Sequence, residues 1–203
     1  MKLNKLEFML MNNAVRAVIQ EKYEAKILRA MSSLKGVDVA LEIGCGNGHG
    51  TKIIQKYFSP KKIVAIDLDE KMIAMAQRRT PDPSVTYQVM DASRLDFPDH
   101  SFDAIFDFGI IHHIPNWKDC IQELRRVLKP DGEVLLEDLS IDSFSKGIGK
   151  VWQKILDHPY PTMYSHRQFT AFLMETGFEI RHYKESNPLG LLKFFSLTAI
   201  LQG

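Results

Sequence analysis

From residue 36 onward, short apolar runs alternate with stretches whose apolar residues recur at helical spacing. The runs have the length of buried strands, and the intervening stretches have the period of amphipathic helices. This alternation indicates βαβ crossovers, and therefore a mostly parallel sheet covered by helices on both faces. The pattern predicts strands at Val37–Ile43, Lys62–Asp67, Val85–Met90, Asp103–Phe108, Glu133–Asp138, Phe178–Glu185 and Phe194–Gln202. It predicts helices at Gly50–Phe58, Glu70–Arg79 and Trp117–Leu128, with Ser165 as the N-cap of a later helix that ends at Gly177.

Two segments lie outside this alternation. Residues 1–35 carry apolar positions at helical spacing, including Val15, Ile19 and Ile27, and predict a helical appendage. It either covers one flank of the core or forms a lid, with Phe8–Met11 as an adaptable apolar surface. Residues 141–165 break the period with glycines and prolines and predict a cap insertion. We therefore expect one domain made of this helix, a core at 36–140, the insertion, and a C-terminal helix with two strands at 166–203.

A glycine cluster follows the first predicted strand and contains Gly44, Gly46 and Gly48. Glycines let the chain turn sharply and let a ligand approach closely, because they have no Cβ. The cluster is not a dinucleotide fingerprint, since His49 occupies the third glycine position, and it is not a P-loop, since Lys52 follows the threonine. In open parallel sheets, ligands bind beyond the carboxyl ends of the strands, which is where this cluster lies.

Acidic residues stand near the ends of the first two strands. Glu42 would repel a pyrophosphate, but its carboxylate would suit a ligand that carries an ammonium group. Asp67 ends the second strand at the separation from the glycine turn that is typical of a carboxylate binding ribose hydroxyls. The alternative is that Asp67 only caps the following helix together with Asp69. Leu68 and Met72 would contact an adenine ring, although two core residues would look the same in the sequence.

Four motifs occur in the order found in one enzyme family. They are Leu41–Thr51, Met90–Ser93, Phe102–Pro115 and Glu123–Gly132. From about Val37 to Asp138 the chain resembles class I S-adenosylmethionine-dependent methyltransferases, of the type 11-like group that acts on small molecules. The resemblance implies a Rossmann-like three-layer αβα sandwich with strand order 3-2-1-4-5-7-6 and an antiparallel last strand.

The resemblance also implies S-adenosylmethionine as the cofactor, with S-adenosylhomocysteine as the product. Asp91 would accept a hydrogen bond from the adenine amino group, and the backbone at Ala92 would contact a ring nitrogen. The segment Phe102–Pro115 would border the methionine moiety, although Asp107 and Phe108 replace the small residues that are commoner there. The cofactor-binding candidates are Glu42, Gly44, Cys45, Gly46, Gly48, Asp67, Leu68, Met72, Asp91, Ala92 and Asp107.

The sulfonium already makes the methyl group electrophilic, so the protein mainly has to align the acceptor and exclude water. A hydroxyl acceptor would need a general base, and His112 and His113 are the candidates. The alternative is that one histidine packs on a helix and the other hydrogen-bonds a loop. Aromatic residues of the insertion either contact the acceptor or pack within the cap. They are Phe144, Trp152, His158, Tyr160, Tyr164 and His166, with Met163 beside them.

Composition narrows the classes of partner. The chain has a formal net charge of +1, with 45% hydrophobic and 25% charged residues, which does not favour nucleic acid. No apolar run approaches the roughly 20 residues that span a bilayer, and no signal-peptide pattern is present, so we expect a cytoplasmic protein. Cys45 and Cys120 have no metal-ligand or disulfide spacing, and no metal is expected. Oxidation or alkylation of Cys45 would block a ligand at the glycine turn.

We therefore expect a methyltransferase that transfers a methyl group to a small-molecule acceptor by direct displacement. One alternative is a nicotinamide-dependent oxidoreductase, which the missing glycine and Glu42 disfavour. The other is a scaffold or regulatory protein that binds the cofactor without catalysis. The sequence leaves the acceptor and the oligomeric state, monomer or homodimer, open.

Overall fold

A seven-stranded sheet forms the centre of the protein, with the order β3-β2-β1-β4-β5-β7-β6. The computed structural model describes residues 17, 18, 20–145, 147–187 and 193–203. Strands β1, β2, β3, β4 and β5 pair in parallel, whereas β7 is antiparallel to both β5 and β6. The expected strand order and the antiparallel last strand are therefore confirmed. The strands are β1 Val39–Ile43, β2 Lys62–Asp67, β3 Val85–Val89, β4 Phe102–Phe108, β5 Leu128–Asp138, β6 Phe178–Ser186 and β7 Phe194–Leu201.

Helices connect these strands, and several begin at the residues that the sequence indicates. Asp69 caps the helix after β2 by accepting a hydrogen bond from the N–H of Lys71 at 3.0 Å. Ser165 and Gln168 form the capping box of the helix before β6, which confirms the predicted N-cap. The α-helices are α1 Ala25–Met31, α2 His49–Phe58, α3 Glu70–Arg79, α4 Trp117–Val127, α5 Gly149–Ile155 and α6 His166–Glu175. A π-helical turn, Gln20–Glu24, precedes α1, and 3-10 turns lie at Ile111–His113 and Ile141–Phe144.

The hydrophobic core lies on both faces of the sheet, because successive side chains of a strand point to opposite sides. On one face, Leu41 and Ile43 of β1 pack in a cluster with residues of α4 and α6. On the other face, Ala40 of β1 packs with Leu28 of α1 and Ile54 of α2. This arrangement gives the three layers expected from the sequence.

The clearest difference from the predicted boundaries is at β5, which begins at Leu128 and not at Glu133. The pairing with β4 shifts there: Phe102 is opposite Leu128, whereas Ala104 is opposite Glu133. The extra residues form an irregularity in which Asp131 has a positive φ of 61°. The predicted turn at residues 129–132 is therefore part of the strand element, and the preceding helix α4 ends one residue earlier than expected.

The two segments outside the alternation are described to different extents. The predicted lid surface Phe8–Met11 lies outside the described residues, as do residues 12–16 and 19. From Gln20 to Met31 the N-terminal segment is helical, as predicted. In the insertion, Phe144 and Met163 pack with Leu139 in a small separate cluster. No helix within the described ranges has the length and apolar character needed to cross a membrane. The division into appendages and core remains a prediction.

Candidate active site

A cavity opens at the carboxyl edge of the sheet, where β1, β2 and β4 end. The turn after β1 forms one side of it, and the loop after β4 forms the opposite side. Residues that follow β2 and β3 complete the wall. This is the position at which ligands bind in open α/β sheets.

The glycine turn gives the cavity its close backbone wall. Gly44 has a φ of 62°, and a Cβ at this position would lie 2.5 Å from the side chain of Ile110 in the loop after β4. Gly46 has a φ of 51°, and its missing Cβ would point into open space. Both residues therefore adopt a left-handed conformation that other residues rarely reach. The turn brings backbone groups to the cavity without side chains between them and a ligand.

Glu42 is the most deeply buried acid of the cavity wall, with 1% of its surface exposed. The hydroxyl of Thr51 donates a hydrogen bond to its Oε2 atom. Burial raises the pKa of Glu42 to about 8, the hydrogen bond from Thr51 opposes this shift, and nearby Asp67 adds to it. At neutral pH the side chain is therefore mostly protonated, and a cationic ligand would favour its ionised form.

Asp67 connects the end of β2 to the glycine turn. Its Oδ2 atom accepts a hydrogen bond from the N–H of Gly46 at 2.8 Å, and its Oδ1 atom accepts one from the N–H of Asp69 at 2.9 Å. Burial raises the pKa of Asp67, and these two hydrogen bonds oppose the shift. The N-cap of α3 is Asp69. The alternative role of Asp67 as the side-chain cap of α3 is therefore not what the geometry shows.

The candidates for adenine binding lie together on the cavity wall. Leu68 is 46% exposed, whereas Met72 and Ala92 are buried, so the wall combines one accessible apolar side chain with two buried ones. Asp91 accepts two hydrogen bonds from Ser93, both at 2.8 Å, one from the N–H and one from the hydroxyl. Its carboxylate is therefore held at the rim by its own loop.

Three of the predicted site residues do not line this cavity: Gly48, Asp107 and His112. The missing Cβ of Gly48 faces Ala76, so this glycine allows α2 and α3 to approach each other. Asp107 is fully buried and accepts hydrogen bonds from the N–H groups of Gly109 and Ile110, at 3.1 and 2.9 Å.

Burial, followed by the charge of Asp138, raises the pKa of Asp107 well above its ordinary value. Asp107 therefore stabilises the loop after β4 through its hydrogen bonds to the loop backbone. The geometry does not indicate a direct contact between Asp107 and the cofactor.

The two candidate bases differ in their surroundings. His112 interacts through Nδ1 with Asp138 at the end of β5, and its backbone N–H donates to the same carboxylate at 3.1 Å. His113 lines the cavity. Burial and the neighbouring histidines lower the pKa of His113 well below its ordinary value, so its imidazole is neutral at neutral pH. Of the two, His113 is the one that could reach a ligand.

The sequence did not single out several residues of the cavity wall. Gln20 reaches it from the π-helical turn before α1, a segment that contains no recognisable motif. Asn47 lies within the glycine turn, where its Oδ1 atom accepts hydrogen bonds from the N–H of His49 and the guanidinium of Arg79. The position of Asn47 between two glycines was the available sequence signal that it lies in the cavity wall. The aromatic residues of the insertion do not line the cavity in the part of the chain that is described.

Cys45 lies in the cavity wall and is buried. Burial, followed by the charges of Glu42 and Asp67, raises the pKa of its thiol. A protonated thiol is a poor nucleophile, so the geometry does not favour the modification that the sequence suggested.

Known proteins are similar in sequence to the part of the chain that contains this cavity. Residues 41–136 match the family model described as "Methyltransferase domain". The malonyl-[acyl-carrier protein] O-methyltransferase of Marinomonas sp. (strain MWYL1) is 35% identical over 133 residues, which cover 65% of this chain and 49% of that protein. Over this stretch the chain is similar in sequence to S-adenosylmethionine-dependent methyltransferases. The matched residues extend from β1 to β5 and contain the glycine turn, Asp67, Asp91 and both candidate bases.

Solved methyltransferase structures share the fold of this chain. An S-adenosylmethionine-dependent methyltransferase from Aquifex aeolicus has a TM-score of 0.74 and 20% identity, over 98% of this chain and 100% of that chain. Phosphoethanolamine N-methyltransferase 2 of Haemonchus contortus, in complex with S-adenosyl-L-methionine, has a TM-score of 0.76 and 21% identity, over 90% of this chain and 53% of that chain. The chain spans about half the length of the Marinomonas relative.

Proposed function

We propose that this protein transfers a methyl group from S-adenosylmethionine to a small-molecule acceptor by direct displacement. The observation that carries the proposal is the buried carboxyl group of Glu42 beside a Cβ-free turn, at the sheet edge where the family match lies. The cofactor combines an amino group, a sulfonium and a nucleoside, and the cavity wall offers acidic and apolar groups for each part.

We assign the parts of the cofactor along the cavity wall. Glu42 and the glycine turn would hold the methionine moiety, because a carboxyl group complements its ammonium and the glycines let the moiety approach the backbone closely. Asp67 would accept hydrogen bonds from the ribose hydroxyls. Leu68 and Met72 would contact the adenine ring, and Asp91 would accept from its amino group. The loop after β4 would then border the methyl group.

The acceptor would bind near that loop, where Ile110, Ile114 and Pro115 give an apolar wall. Alignment of the acceptor with the S–CH3 bond and exclusion of water supply most of the catalysis in such a site. The names of several relatives favour organic acceptors, since they include demethylmenaquinone and phosphoethanolamine methyltransferases. The cytoplasmic location and the absence of a nucleic-acid partner stay predictions.

Calorimetric titration with S-adenosylmethionine, S-adenosylhomocysteine and NADH tests the cofactor assignment. We expect heat from the two sulfur compounds and none from the dinucleotide. Incubation with methyl-labelled cofactor and fractionated cell extract should then give a labelled product of low mass. Binding of NADH alone would overturn the proposal, and cofactor binding without any labelled product would favour the scaffold alternative.

His113 is the candidate base for a hydroxyl acceptor. Since general bases typically contribute 10²–10⁴-fold, His113→Asn is expected to lower kcat by about 100-fold or more for such an acceptor. The affinity for S-adenosylmethionine should change little, because the residue lies on the acceptor side of the cavity. Steady-state kinetics together with calorimetry measures both quantities, and full turnover in this variant would exclude the role.

A further inference from the structure

Three histidines form a buried cluster beside the cavity. His112 and His113 follow β4, whereas His158 comes from the insertion, far along the chain. One ring nitrogen of each lies within 4.8 Å of the others. Their exposed fractions are 4%, 4% and 9%, so the cluster is largely shielded from solvent. The tertiary structure therefore brings three ligand-type side chains to one point.

Asp138 orients the first of these histidines. Its carboxylate accepts hydrogen bonds from the N–H of His112 at 3.1 Å and from the hydroxyl of Tyr164 at 2.7 Å. It also contacts the ring Nδ1 of His112. When the Nδ1–H group donates a hydrogen bond to this carboxylate, the lone pair of the ring is on Nε2. A carboxylate that fixes a histidine in this way is the usual outer partner of a metal-binding imidazole.

The second histidine offers an unused nitrogen. The Nδ1 atom of His113 is buried and has no hydrogen-bond partner within the described part of the protein. Burial of a polar atom without a partner is costly, and such atoms call for an explanation. A metal ion would supply the missing partner.

We propose that His112, His113 and His158 bind a divalent transition-metal ion of the zinc, cobalt or nickel type. Imidazole nitrogens suit these ions, whereas magnesium and calcium prefer oxygen ligands, which the three donors do not provide. Three protein ligands leave one position of a tetrahedral ion open for water or another ligand. Since His113 also lines the cavity, the ion lies at the cavity wall. A metal-bound imidazole has no free lone pair, so the role of His113 as a base applies to the metal-free protein.

The distances between the histidine ring nitrogens determine how far these atoms must move to bind an ion. A tetrahedral ion with bonds of about 2.1 Å holds its nitrogen ligands about 3.4 Å apart. The donor atoms are within 4.8 Å of one another, so ring rotations that bring them about 1.4 Å closer complete the site. The inference does not depend on the proposed methyl transfer, because it concerns the affinity for the metal alone.

Titration of the full chain, prepared without a histidine tag, with Co²⁺ tests this proposal. We expect one ion per chain, visible absorption typical of tetrahedral cobalt, and displacement by Zn²⁺. His158→Asn removes one of three ligands and should weaken Co²⁺ binding by about 10-fold or more, the scale seen for the loss of supporting groups in metal sites. His182→Asn is the matched control, since the ring of His182 lies on β6 and contacts Thr198. It should bind Co²⁺ like the wild type.

The outcomes separate a metal site from simple ring stacking, since the ring centroids of His113 and His158 are 4.6 Å apart. Loss of Co²⁺ binding in His158→Asn, with circular dichroism unchanged, supports the proposal. Equal Co²⁺ affinity in this variant and the wild type overturns it. If the variant does not fold, the wild-type titration still decides, because no binding below about 100 µM overturns the proposal as well. Failure of methyl transfer to any acceptor leaves these measurements unaffected.

Discussion

Glu42→Gln is expected to weaken S-adenosylmethionine binding by about 10- to 100-fold above pH 8, the range for loss of a charge-assisted hydrogen bond. In the wild type, the pKa of Glu42 is about 8 without ligand, and the ligand ammonium favours the ionised form. The wild-type affinity should therefore rise by up to about 100-fold from about pH 6 to pH 8, with release of a proton. The variant should lack this pH dependence. Calorimetry in buffers of different ionisation enthalpy measures both effects.

Glu42→Gln is not expected to lower stability at pH 8, so weaker cofactor binding by this variant can be distinguished from a defect in folding. The ordinary pKa of a glutamate side chain is 4.5, whereas the pKa of Glu42 in the folded chain is about 8, so folding favours the protonated form. Its contribution to the free energy of unfolding is therefore fully present below about pH 4.5 and is lost as the pH rises through about 8. Glutamine is neutral and can still accept from Thr51, so the variant should be at least as stable at pH 8. If the variant bound the cofactor as tightly as the wild type at both pH 6 and pH 8, the role assigned to Glu42 would be contradicted.

Gly50→Ala is expected to impair both stability and cofactor binding, because no space exists for a methyl group. A Cβ on Gly50 would lie 2.2 Å from Oε1 of Glu42 and 2.8 Å from the ring of Phe108. Overpacking of this kind costs about 1–3 kcal/mol, and each kcal/mol lowers Tm by about 2–4 °C in a chain of this size. Displacement of Glu42 should also reduce the affinity for S-adenosylmethionine by about 10-fold. Thermal unfolding and calorimetry measure the two effects.

Gly36→Ala is the matched control, since a Cβ there has no atom within 4 Å and its φ is not positive. We expect Tm and cofactor affinity close to those of the wild type. If Gly50→Ala behaved like this control, the close contact between helix α2 and Glu42 would not matter for binding.

The fold followed from the sequence wherever a local pattern determined the structure. Buried strands and amphipathic helices have different periods, so β2 and α3 appear with the predicted bounds. The predicted extent of β5 was wrong. The irregularity that extends this strand depends on pairing with β4 and is not encoded in local spacing. Strand order came from the resemblance to the methyltransferase family, since pairing of distant strands leaves no local signal.

The candidate site divides in the same way. The sequence pattern predicted Glu42, the glycine turn and Asp67 as site residues, because each stands near the end of a strand, and the carboxyl ends of parallel strands meet at one edge. Asp91 was predicted from the resemblance to the methyltransferase family. It also included Asp107, which is an acid at the end of β4, but the direction of that side chain depends on its neighbours. Only the tertiary structure placed the Asp107 carboxyl group beneath the loop, where it binds Gly109 and Ile110.

The sequence by itself determined which strands end in acids and where the backbone can turn without a Cβ, because these properties are local. Only the tertiary structure decided that Gln20 reaches the cavity and that His158 joins His112 and His113. Contacts between residues far apart in the chain arise from the packing of whole elements, and no spacing along the sequence encodes them.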